Sequence, residues 1–128
     1  MTMHHIQGEF SVELSPQADE INTGRMLLNK TYKGALCGTS EGQMLSVRTD
    51  TPGSAGYVAI EQFSGTLDGK AGSFALQHSG TMNRGEASLT VSVIPDSASG
   101  DLTGLSGNMQ ITIENGAHYY DFNYVFTL

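Results

Sequence analysis

Residues 57–80 read YVAIEQFSGTLDGKAGSFALQHSG. Two alternating runs flank Asp68-Gly69, a dipeptide suited to both central positions of a type I′ hairpin turn. With those two as the turn, Leu67 pairs with Lys70, Phe63 with Phe74, Glu61 with Leu76 and Ala59 with His78. Tyr57, Ala59, Glu61, Phe63, Phe74, Leu76, His78 and Gly80 then share one face. A four-residue loop keeps that face and sets Glu61 directly opposite His78. A three-residue loop would pair Phe63 with Ala75 and Glu61 with Gln77, mixing apolar and polar faces, so the hydrophobic pattern selects against it. In either surviving register Glu61 and His78 are direct or diagonal neighbours within side-chain reach.

The alternation extends outward from this hairpin. Residues 6–14 set Ile6, Gly8, Phe10, Val12 and Leu14 against Gln7, Glu9, Ser11 and Glu13, a period of two. Residues 25–36 carry Met26, Leu28, Lys30 and Tyr32 on one face. Further strands are expected over 42–49, 57–67, 72–82, 86–94, 108–114 and 118–128, the last with Tyr120, Phe122, Tyr124 and Phe126 on one face. Turn signals fall at 50–54 (DTPGS), 68–70 (DGK), 83–85 (NRG) and 114–117 (ENGA). Helical periodicity is nearly absent; residues 15–22 (SPQADEIN) alone suit a short helix, an irregular turn or a loop. Eight short strands at this spacing predict an all-β domain, a single eight-stranded antiparallel barrel, lipocalin-like in outline, over residues 1–128. A barrel of that size holds a side-chain core or one small ligand.

The glycines have a cadence. Residues 65–72 (GTLDGKAG) and 100–107 (GDLTGLSG) both fit G-x-L-x-G-x-x-G, and 34–38 (GALCG) is a shorter form. A phosphate-binding loop occurs once, between a strand and a helix. The first copy here joins two strands and none opens a helix. The cadence therefore reads as geometry: leucines plugging a barrel end, glycines allowing turns and bends.

Composition narrows the function classes. Thirteen acidic residues against six basic give a net charge of −7, which opposes binding to nucleic acid or an anionic membrane surface. No apolar run approaches the ~20 residues of a membrane span. The opening MTMHHIQGEF has neither a basic n-region nor an apolar h-region, so a cytoplasmic location is expected. The single cysteine, Cys37, has no intramolecular partner and is expected to be a small apolar filler. His4, His5 and His118 lack metal-ligand spacing, so no metal and no cofactor is expected.

A carboxylate and an imidazole on an otherwise apolar face make Glu61 and His78 the candidate proton-transfer pair, because the carboxylate fixes the imidazole tautomer. The alternative is a buried, mutually satisfied pair. Tyr57, Phe63, Phe74, Tyr120 and Tyr124 are the candidate pocket-lining residues. Arg48, on the face of Met44 and Ser46, is a candidate to neutralise Glu61 or bind a ligand carboxylate.

The segments 57–80, 97–107 (SASGDLTGLSG) with the aromatic last strand, and 8–14 (GEFSVEL) resemble a bacterial family of uncharacterised small proteins, DUF3224. The run E-x-F-x-G-x-L-x-G-(basic)-x-G-S-F, followed by Q-H-x-G, carries the resemblance, which covers most of the chain. Ile94-Pro95-Asp96-Ser97 departs from it, with no glycine after the proline. The resemblance implies a barrel similar to that of allene oxide cyclases, which hold a fatty-acid-derived epoxide in an apolar interior, use few catalytic groups and often oligomerise. Three functions follow as expectations: a binding module for a small apolar or amphipathic molecule; an isomerase or cyclase of such a molecule using Glu61 and His78; or a filled barrel acting as a homo-oligomer.

Overall fold

The computed structural model describes residues 2–127. Its strands are β1 (His4–Gln17), β2 (Gly24–Gly34), β3 (Leu36–Arg48), β4 (Ala55–Leu67), β5 (Lys70–Asn83), β6 (Glu86–Val93), β7 (Ser99–Gly100), β8 (Leu105–Glu114) and β9 (Ala117–Phe126). Eight long strands form an antiparallel meander, each paired with the next, and β1 pairs with β9 to close the barrel. The two-residue β7 hooks onto β5 through Gly72–Gly100 and Ser73–Ser99. No helix occurs among the described residues.

The central hairpin has the expected register: Leu67 pairs with Lys70, Phe63 with Phe74, Glu61 with Leu76 and Ala59 with His78. Asp68 and Gly69 have φ of 49° and 82°, as a type I′ turn requires. Arg84-Gly85 and Asn115-Gly116 repeat it, with φ of 50° and 92°, and 51° and 81°.

Several boundaries differ from the sequence reading. The 15–22 stretch holds no helix: β1 runs on to Gln17 against β2, and bends follow. β3 begins at Leu36, not at residue 42. Its early glycines look like a turn but sit inside the strand, where a Cβ on Gly42 would overlap the Ile60 carbonyl oxygen. They let β3 press against β4. Cys37 is not a filler; it points outward and is exposed. The strand expected over 118–128 ends at Phe126, and Leu128 lies outside the described residues.

The barrel's two ends differ. At one, Leu36, Leu67 and Leu102 are wholly buried. These are the leucines of the three glycine cadences, and they plug the end as the pattern predicts. Above them Phe10, Tyr32, Phe63, Phe74, Phe122 and Tyr124 fill the interior, with Phe63 and Phe74 centroids 4.9 Å apart. At the other end the outermost inward-facing residues are left uncovered by the described residues. Leu14, Met82, Leu89 and Ile113 are 50%, 43%, 40% and 65% exposed, although each lies in phase with buried residues of its own strand.

Candidate functional site

Glu61, at the middle of β4, is wholly buried. Four donors from four side chains fill its two oxygens. Oε1 accepts from the Tyr32 hydroxyl and from Ser40 Oγ at 2.9 Å. Oε2 accepts from Lys30 Nζ at 2.6 Å and from His78 Nε2 at 2.7 Å. These partners come from β2, β3 and β5, each projecting inward by the period of two. The hairpin register makes His78 the diagonal neighbour of Glu61, as expected. Burial alone would raise the Glu61 carboxyl, but the His78 hydrogen bond and the Lys30 charge outweigh it and hold the group at about 2. Glu61 is therefore a permanent anion at neutral pH, with its acceptor sites filled. Burial and then the Glu61 charge push the Tyr32 phenol well up.

Lys30 is not among the candidates the sequence offers. It is buried, with Nζ 4.9 Å from the Phe10 ring centroid as well as on Glu61. The signal was present: a lysine in phase with Met26, Leu28 and Tyr32 must meet an anion inside. Lys30, not Arg48, neutralises Glu61; Arg48 is exposed at the end of β3.

His78 has a free side. Its Nε2 is on Glu61, while Nδ1 has no hydrogen-bond partner among the described residues. Beyond His78 toward the uncovered end the inward-facing Val12, Met26, Met44, Tyr57 and Ile111 are half-buried. Leu14, Met82, Leu89 and Ile113 form the rim. Between β6 and β8 the ladder holds Val91–Met109 and Ser92–Asn108 only, and Val91 is the partner of His78. Above His78 these two strands part.

The other sequence candidates divide between the halves. Tyr57 is half-buried on the inward face of β4, where burial and the Glu61 charge raise its phenol. Phe63 and Phe74 are core residues of the filled half. Tyr120 donates to the Lys33 carbonyl at 2.9 Å and accepts from the Leu36 amide at 3.1 Å. Tyr124 donates to Asp68. Both hydroxyls are thus engaged at the closed end, where they fasten turns.

A family described as "Protein of unknown function (DUF3224)" matches residues 6–124. A crystal structure of a protein with unknown function from that family, from Shewanella oneidensis MR-1, is 46% identical. It superposes with a TM-score of 0.95 over 99% of this chain and 100% of that one. No curated protein matches.

Proposed function

The chain belongs to the DUF3224 family of proteins of unknown function, and on that footing we propose that it binds one small apolar molecule in the uncovered half of its barrel. The exposed inward-facing rim carries this reading: Leu14, Met82, Leu89 and Ile113 belong to the interior by phase yet remain 40–65% exposed. An apolar concavity with one convergent polar group is the usual form of a small-molecule site. Met26, Met44 and Met82 give the wall an adaptable surface, and the parting of β6 from β8 gives an entry. His78 is the polar anchor, and Glu61 with Lys30 positions it.

The experiment is titration with a neutral solvatochromic dye, comparing the wild type with Ile113→Glu. The exposed rim position tolerates the charge within about 0.5 kcal/mol of stability. Dye affinity is expected to fall about tenfold or more, since a carboxylate at the mouth must be desolvated by the guest. Equal affinity in the variant, or no binding by the wild type, refutes the reading.

An isomerase or cyclase of the same guest, the activity that a likeness to allene oxide cyclases would bring, is the second reading. What favours it is that His78 Nδ1 has no hydrogen-bond partner among the described residues, as a base awaiting a proton requires. Glu61, ionised and saturated, would there orient His78 and carry no proton. Mass spectrometry of the co-purifying guest names the substrate to try. Turnover retained in His78→Ala removes His78 as the base.

A further inference from the structure

The outside of the barrel is not uniform. We propose that the outward face of β2, β3 and β4 is a self-association surface, on which a second copy of this chain seats the same face about a two-fold axis. The surface lies outside the barrel and is independent of any guest inside it.

Among the described residues, the large apolar side chains exposed on the outer face of the strands all lie here. Leu27, Leu45, Val47, Val58 and Ile60 are 37–52% exposed. The register makes them neighbours: Leu45 pairs with Val58, and Gln43 stands between Leu27 and Ile60. Residues 44–47 (MLSV) and 57–60 (YVAI) carry apolar side chains in both phases, the pattern of strands covered on both faces. The inner phase faces the barrel interior, and nothing among the described residues covers the outer one. A groove of about 790 Å³ runs among Leu45, Val58, Ile60, Gln62 and Gln77. The ridges of a two-fold mate can enter it, as the side chains of facing sheets interdigitate.

Charge and area choose the occupant. In the closed barrel β3 lies across from β8, and β4 from β9. Outward acids stand toward that far side: Glu9 and Glu13 on β1, Asp121 on β9, Glu114 on β8 and Glu86 on β6. At the margin of the apolar face are Glu41 and Arg25, the latter held by Asp19 at 2.9 Å. Two copies of net charge −7 meeting here keep their acids apart, whereas a strongly charged foreign partner finds little to pair with. Roughly half of five aliphatic side chains is on the order of 400 Å², the size at which an apolar patch is commonly functional. The collar of Arg25, Gln43, Gln62 and Gln77 brings the face toward the ~800 Å² that each partner gives a standard interface.

The experiment is sedimentation equilibrium of the full chain, wild type against Ile60→Lys, Val58→Lys and Thr112→Lys. Thr112 is exposed on the outward face of β8, so Thr112→Lys makes the same charge change on the far side. The wild type is expected to equilibrate between one and two copies. It should associate more tightly at about 0.5 M salt than at about 0.05 M, because screening relieves the repulsion between two anions. Positions 58 and 60 are exposed, so the fold tolerates either substitution. Each should weaken the dimer about tenfold or more, since the two-fold buries the new charge close to its copy. Thr112→Lys should change it by no more than about twofold at the higher salt. A wild type that stays a single copy up to about 0.5 mM overturns the proposal. So does a dimer that survives both Ile60→Lys and Val58→Lys, one lost equally in Thr112→Lys, or one that salt weakens. Growth beyond two copies overturns it too, since a closed two-fold forbids it.

Discussion

Glu61→Gln keeps the side chain's shape and removes its charge. The amide supplies one carbonyl oxygen where the carboxylate supplies two, and Lys30 keeps its charge with no anion inside the barrel. Breaking a buried pair in this way costs about 3–5 kcal/mol, a large share of the roughly 5–15 kcal/mol typical of a domain. The wild-type pH dependence gives an independent measure. Glu61 ionises at about 2 in the fold against an ordinary 4.5. At roughly 1.4 kcal/mol per pH unit, this depression contributes about 3 kcal/mol. The contribution is present above the ordinary value and is lost as pH falls from about 4.5 toward 2. Urea unfolding of both proteins between pH 7 and pH 2 reads it, using the fluorescence of the five tyrosines, as tryptophan is absent. The other carboxylates titrate alike in both proteins, so the difference reports Glu61 together with the His78 ring bonded to it. The gap is expected to be widest at neutral pH and to shrink by about 3 kcal/mol in acid. A constant gap would refute the account of Glu61 as an anion held by four donors. No gap at neutral pH would refute the account of Lys30 as its dependent partner.

Two further substitutions probe the closed end and the strand bends. Leu102→Ala removes a wholly buried plug and is expected to cost about 2–5 kcal/mol in denaturant unfolding. Gly42→Ala should lower the melting temperature far more than Gly69→Ala. A Cβ on Gly42 would overlap the Ile60 carbonyl, whereas one on Gly69 meets nothing and carries only the cost of φ +82°, about 1–2 kcal/mol.

The central hairpin was legible because three local signals agree: a turn dipeptide needing positive φ, a period of two on both sides, and a Phe63–Phe74 match in one register. That agreement also brought Glu61 to His78. The partners on β2 and β3 were not legible from the hairpin alone. Lys30, Tyr32 and Ser40 reach Glu61 through pairings at long range, and no turn in 57–80 fixes the offset of β2. The early part of β3 was hidden because glycine serves two purposes. Gly69 makes a turn, while Gly38 and Gly42 let backbones approach inside a strand, and the letters are the same. The uncovered end was invisible for a third reason. Leu14 and Ile113 alternate as core residues do, and periodicity tells which face a residue is on without telling whether anything lies across from it.

The four-donor carboxylate also bears on how the chain avoids misassembly. A slip by one residue turns a strand inside out, and the apolar pattern resists it. A slip by two keeps every inward residue inward, so that pattern is nearly blind to it. Such a slip of β3 or β5 against β4, or of β2 against β3, would carry its donor about 7 Å from Glu61. It would leave a charge or hydroxyl in the barrel without its partner. The single acid at the centre thus penalises the errors that greasy alternation permits, a selectivity among near-identical pairings and not a surplus of binding strength.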